Sequence, residues 1–138
     1  MKSNNLLTKT SYVAYSQCAK QFWLDAYEPT LATPPDPAAR RRLEMGQQVD
    51  LLARERFPNG RLIPYRPKPE EMVPLTHAAM SAGAETLFQA TLATDDLLVK
   101  VDILTQAEGG WHLIEVKSST RFKPKEHLAD IAFQLYVL

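Results

Sequence analysis

The stretch "LLVKVDILTQAEGGWHLIEVK", residues 97–117, decides how this chain folds. Its first part, Leu97 to Leu104, is rich in apolar and β-branched residues, the composition of a strand packed on a pleated surface. "TQAEGG" is turn-like, and "WHLIEVK" reads as a second strand, so the pair predicts an antiparallel hairpin. Asp102 stands between Val101 and Ile103 in an otherwise apolar run. A lone carboxylate there is costly unless it is paired or bound to a metal. The second strand ends on Glu115-Val116-Lys117, and strand alternation puts Glu115 and Lys117 on one side and Val116 on the other. In the simplest hairpin register Asp102 lies near the Glu115 end of its partner. Two carboxylates and a lysine then converge at one strand edge.

That combination has a chemical use. Two carboxylates can hold Mg²⁺ through oxygen, with waters filling the other positions. Such a metal polarises a phosphate and lowers the pKa of a bound water. Lys117 would position the attacking water or stabilise charge on phosphate oxygens, and Val116 would add its backbone carbonyl as a ligand. The pattern reads as metal-assisted phosphodiester hydrolysis. Glu-x-Lys alone is also an ordinary pair on a solvated sheet face; Asp102 is what moves the reading towards chemistry.

Working outward, Pro124 opens a helix reaching at least Tyr136, with Leu128, Ile131, Ala132 and Leu135 as its apolar face. His127, Asp130 and Gln134 form a separate polar line. Between 117 and 125 the chain carries four basic residues, Lys117, Arg121, Lys123 and Lys125, and no acid. That run suits a passing phosphate backbone, or equally a solvated loop. Upstream, residues Ser11 to Tyr27 predict one helix whose apolar face is Tyr12, Tyr15, Ala19, Phe22, Trp23 and Ala26, with Phe22 and Trp23 in the core. "EPTLATPPDP" breaks the pattern as a loop. Asp36 before Pro37 is a good helix start, and that helix would run to about Phe57 with Met45, Val49, Leu52 and Arg56 in one line. Gly46 and Asp50 share a face of it. A helical glycine costs about 1 kcal/mol against alanine, so Gly46 marks either a close backbone approach or a tolerated defect. Arg61 to Ile63 suggests a short edge strand, Thr76 to about Leu87 a third helix, and Thr86 to Thr94 is ambiguous, a strand being one reading.

At 138 residues the chain suits one small domain, and 45% hydrophobic with 23% charged residues is the composition of a folded one. Net charge is zero, so no global field advertises nucleic acid and any contact needs a local basic patch. No apolar run is long enough to span a membrane, and Met1 to Leu7 lacks the apolar centre of a secretory signal. The one cysteine, Cys18, cannot form an internal disulfide, which agrees with a reducing, cytoplasmic setting. The chain stops on apolar "FQLYVL" in the middle of a helical pattern, which predicts an incomplete N-terminal fragment of something longer.

The residues "VDIL…WHLIEVKSS" resemble the D…ExK core of the PD-(D/E)XK nuclease superfamily, in particular its RecB-like branch. "LTKTSYVAYSQCAKQFWL" resembles the opening of the CRISPR-adaptation nucleases and of a related uncharacterised bacterial family, domain of unknown function 2779. "MGQQVDLLARERFPNG" and "HLADIAFQLYVL" look like that same family. The resemblance implies Asp102 and Glu115 as ligands of Mg²⁺ or Mn²⁺, Lys117 as the catalytic lysine, and Gln134 as a glutamine that shapes the site or contacts DNA. It implies Asp50, four residues after Gly46, as a third ligand; a solvated helix acid is the other reading. Cys18 resembles the first of four cysteines that hold a 4Fe–4S cluster. A cluster of that kind takes four thiolates, so it would need cysteines outside this chain; otherwise Cys18 is a small packed residue near Trp23. Gln89 departs from the pattern, standing where relatives often carry glutamate, and Tyr136 follows Gln134 by two residues where four is usual.

The expectation is therefore an α/β fold. It has a restriction-endonuclease-like core of helix, three-stranded antiparallel sheet and helix, cut before a final strand, behind an extra N-terminal helix. The expected function is a metal-dependent DNA nuclease domain acting on single strands or ends, with Arg121, Lys123 and Lys125 on the backbone phosphates. The alternatives are a non-catalytic nucleic-acid-binding or scaffolding domain that keeps the fold, and a protein-interaction fragment.

Overall fold

A computed structural model describes residues 6–138. The chain is mixed α/β, with five α-helices and a five-stranded open sheet among the described residues. In chain order these are β1 (Leu7–Thr8), α1 (Lys9–Gln17), α2 (Ala19–Tyr27), α3 (Pro37–Arg54), β2 (Arg61–Leu62), α4 (Met72–Ser81), β3 (Thr86–Ala93), β4 (Leu97–Ala107), β5 (Gly110–Ile114) and α5 (Pro124–Val137). Short 3₁₀ turns at Pro29–Leu31 and Pro69–Glu71 complete the set.

The hairpin forms as its sequence predicts, with a tighter turn. Strand β4 runs on through Thr105, Gln106 and Ala107, which pair with His112, Trp111 and Gly110, so only Glu108 and Gly109 connect the strands. Gly109 takes φ +84°, a left-handed value that glycine adopts freely. The ambiguous segment is strand β3, antiparallel to β4 from Thr86 against Thr105 to Ala93 against Leu98. The sheet is nevertheless not a three-stranded antiparallel one. Strand β2 joins β3 in parallel, and β1 joins β4 in parallel through Leu7 against Leu97 and Thr8 against Leu98. Two-residue strands are too short to leave an alternation in sequence.

Strand β4 is the centre of the fold. Val99, Val101 and Leu104 are fully buried, as are Leu87 and Ala90 beside them on β3. Burying each valine or leucine contributes about 1.5–3 kcal/mol, so this pair of strands anchors everything placed on it. Helix α4 packs on β3, and its Thr76 hydroxyl donates to the Met72 carbonyl (3.1 Å) and accepts from the Thr91 amide (2.9 Å). This helix begins and ends earlier than the sequence pattern suggests. Pro74 falls in its first turn, where no amide donor is needed. Gly83, at φ +80°, closes it with amide bonds from Gly83 to Met80 and from Ala84 to Ala79.

Further expectations change along the helices. The N-terminal helix is two helices, because Cys18 is extended and its Sγ accepts the Gln21 amide at the start of α2 (3.4 Å). The bend sets Tyr15 edge-on to Phe22 at 5.8 Å, while Tyr12 stacks on Phe133 of α5 at 5.2 Å. Trp23 is half exposed beside Tyr27 instead of in the core, and Cys18 is an exposed cap, not a packed filler. Asp36 caps α3 through the Ala39 amide (2.6 Å), as expected. Yet Met45 and Leu52 point to solvent, and the partly buried residues are Ala39, Gly46, Val49, Asp50, Ala53 and Arg54. A Cβ on Gly46 would meet nothing within 4 Å, so no close approach requires that glycine. Helix α5 is turned over. It buries Asp130, Phe133, Gln134 and Val137, and it exposes Leu128, Ala132 and Leu135 from the stripe expected to pack.

Candidate active site at the edge of the central strand

One edge of β4 is shared. Strand β1 pairs with residues 97–98, β5 pairs with residues 103–107, and β3 occupies the other edge. Among the described residues, positions 99–102 have no ladder partner on the shared edge. Asp102 sits at the top of that gap. Its Oδ2 accepts the Val116 amide at 2.9 Å, so the carboxylate takes over where the β4–β5 ladder stops. This fixes the segment Glu115–Lys117 just beyond β5 and beside Asp102, as the hairpin register predicts.

Three other elements supply the remaining groups. Lys9 is the first residue of α1, placed at the gap because Thr8 both pairs with Leu98 and caps the helix through the Ser11 amide (3.2 Å). Helix α5 presents Asp130 and Gln134, one turn apart, on its inner face. Lys9 Nζ donates to both oxygens of Glu115 (2.9 and 3.0 Å) and lies 3.2 Å from Asp130 Oδ1. Lys117 Nζ donates to Glu115 Oε1 (2.7 Å) and Asp130 Oδ2 (2.6 Å). Gln134 Nε2, fully buried, donates to Glu115 Oε2 (2.7 Å) and Asp130 Oδ1 (2.8 Å). Two ammonium groups and one amide thus hold two carboxylates, and Asp102 stands beside them.

The electrostatics separate the acids. Burial, with the charge of Glu115 added, pushes the Asp102 carboxyl above its ordinary range; the Val116 amide and Lys9 only partly offset this. Burial also works against ionised Asp130, but the Lys117 hydrogen bond and the charges of Lys9 and Lys117 outweigh it and hold that carboxyl low. For Lys117, burial opposes the charged form, yet its bonds to Asp130 and Glu115 win and raise it. Asp130 and Lys117 are a committed ion pair, whereas Asp102 is a carboxylate short of positive charge.

Gln89 is the residue opposite Asp102 in the β3–β4 register, where the ladder is interrupted. Its φ of +57° is the one left-handed value of a non-glycine residue among the described positions, and its amide reaches Asp102 Oδ1 at 3.5 Å. Backbone strain of this kind concentrates where a side chain is aimed at a site. Asp50 is close enough to add to the charge felt by Asp102. It pairs with Arg54, whose guanidinium lies over the Phe88 ring at 5.5 Å, and Asp50 Oδ1 is buried without a donor.

The basic residues lie outside this cluster. Arg121 lines an open groove of about 370 Å³ with Glu115, Lys117, Phe122 and His127. Lys123 and Lys125 are exposed where α5 begins, and Lys123 pairs with Glu126 at 3.3 Å. Cys18 lies in the α1–α2 bend, and no three of the His, Cys, Asp or Glu side chains among the described residues form a group that could hold a metal ion. Asp102, Glu115, Lys117 and Gln134 are thus brought together; Arg121 borders them, and Cys18 does not join them.

Sequence reasoning missed Lys9 and Asp130. Asp130 left one signal, its four-residue spacing from Gln134 on a helix. Lys9 left none, because the two-residue strand that delivers it has no pattern. No helix among the described residues is long and apolar enough to cross a membrane. No family model matches the chain, and the comparisons with curated proteins and with solved structures likewise find no match.

Proposed function

We propose that this chain is a metal-dependent nuclease domain with a restriction-endonuclease-like core of the RecB-like type, hydrolysing phosphodiester bonds in DNA. The observation that carries the reading is the meeting of Asp102 from β4, Glu115 and Lys117 from beyond β5, and Gln134 from α5 at one interrupted strand edge. The donor set fits Mg²⁺ or Mn²⁺, which are held by one or two carboxylates plus waters and substrate phosphate, not by an all-protein cage. Two buried oxygens without donors, Gln134 Oε1 and Asp50 Oδ1, belong to this cluster or lie near enough to add to its charge. A cation would offset the burial and the Glu115 charge that together keep Asp102 raised.

Asp102 and Glu115, with the Val116 carbonyl, would hold the metal. When bound, the metal supplies Lewis-acid polarisation of the scissile phosphate. Lys117, fixed by Asp130, aims a permanent positive charge at the phosphate oxygens or at the attacking water. Gln134 keeps the Glu115 carboxylate in place. Arg121, with Lys123 and Lys125 behind it, would lead the nucleic-acid backbone along the groove beside Lys117.

The test is cleavage of single-stranded and linear duplex DNA with Mn²⁺, comparing the parent with Asp102→Ala and Lys117→Ala. Cleavage that disappears in both variants is expected, and cleavage that survives in both ends the site assignment. The second reading, a nucleic-acid-binding or scaffolding domain without turnover, draws on the saturation of Glu115 by Lys9, Lys117 and Gln134. Tight DNA binding with no Mn²⁺-dependent product would favour it.

A further inference from the structure

We infer that Lys9 is part of the site as a tethered cation, holding Glu115 at rest and releasing it when a divalent metal arrives; this rests on the metal reading above. The argument is one of occupancy. A carboxylate offers about four lone-pair sites. Glu115 receives four donor contacts: Lys9 on both oxygens, Lys117 on Oε1 and Gln134 on Oε2. A metal binds Glu115 only if one of these donors leaves.

The geometry selects Lys9. Gln134 is fully buried and is also held by Asp130 at 2.8 Å. Lys117 has Asp130 as a second, shorter partner at 2.6 Å. Lys9 has the longer contact to Asp130, 3.2 Å, and gives Glu115 nothing that a divalent cation would not replace with more charge. It also has room to move. Lys9 stands between two clefts, one lined with Val13, Gln17, Lys117 and Asp130, the other with Gln89, Lys100 and Asp102. Its flexible four-carbon stem can carry the ammonium into the first, away from Asp102. Asp102, within range of the Lys9 charge, is the acid this movement leaves for the metal to neutralise.

The experiment measures Mn²⁺ binding without DNA, by the paramagnetic resonance signal of the free ion. It compares the parent, Lys9→Met, Lys9→Gln and Asp102→Asn. Removing the competitor is expected to tighten Mn²⁺ binding about tenfold in either Lys9 variant, equivalent to about 1.4 kcal/mol. In the parent itself, the Lys9 ammonium resonance is expected to shift as Mg²⁺ saturates, which needs no variant to fold. A parent that binds Mn²⁺ through Asp102, with Lys9 variants binding no tighter and a Lys9 resonance indifferent to Mg²⁺, overturns the inference and leaves the metal reading standing. No Mn²⁺ binding by the parent or by either Lys9 variant overturns both.

Discussion

Asp130→Asn isolates the charge that holds Lys117. The substitution keeps the shape and one carbonyl acceptor but removes the negative charge from a side chain only 8% exposed. Asp130 receives Lys117 at 2.6 Å, Gln134 at 2.8 Å and Lys9 at 3.2 Å. A hydrogen bond to a charged group contributes about 1.5–3 kcal/mol net. Three such bonds do not add here, because each donor also has Glu115 as a second partner. Lys117 is 38% exposed and recovers hydration, which discounts its share further. The expected loss at neutral pH is about 2 kcal/mol, measured as the shift in urea unfolding at unchanged slope. Asp130 is a carboxyl held below its ordinary value of 3.8, so its stabilisation is fully present above that value and is lost as the pH falls through the depressed folded one. The gap between parent and variant should therefore close in strong acid. Because Asp130 acts through Lys117, Mn²⁺-dependent cleavage should fall while Mn²⁺ affinity changes little. Equal stability at pH 7, or a gap that persists in acid, would refute the assignment of Asp130 as the committed partner of the lysines.

Asp102→Asn should do the opposite for stability. Its folded carboxyl is raised, so ionisation opposes folding above that value and has no effect once the pH is below the ordinary 3.8. The variant should therefore be the more stable of the two at pH 7, and equal to the parent in strong acid, while losing Mn²⁺-dependent cleavage; a destabilised variant in urea melts would contradict the electrostatic account. Thr76→Val keeps the side chain's shape but removes the partner of the buried Thr91 amide, and it should cost about 1–3 kcal/mol in the same assay. Faster hydrogen exchange at Thr91 in that variant would locate the effect, and an unchanged rate would exclude it.

The hairpin was legible because strands β4 and β5 are long enough to carry an apolar, β-branched composition, and the site because Asp102 stands between Val101 and Ile103, where an acid needs a reason. Asp36-Pro37 was legible as a helix start because capping is local chemistry. Helix α5 was misread for a physical reason. Its apolar stripe is the better core face by hydrophobicity alone, but Asp130 and Gln134 turn inward to meet Lys9, Lys117 and Glu115. Periodicity identifies two faces of a helix. It does not say which face meets a charged partner brought from elsewhere in the chain.

Sequence by itself determined the three residues on which the chemistry is proposed to turn. Asp102, Glu115 and Lys117 stand out through local rules: a costly acid in an apolar strand, and alternation that puts the acid and base together. Tertiary structure alone decided that Lys9 and Asp130 belong with them. Lys9 lies 106 residues from Glu115, and it arrives there through the pairing of Leu7 and Thr8 with the start of β4. Those are contacts between distant segments, set by which edge of the central strand is left open. A one-dimensional pattern reports what a residue does to its neighbours in the chain, and the edge of β4 is filled by residues that are not neighbours.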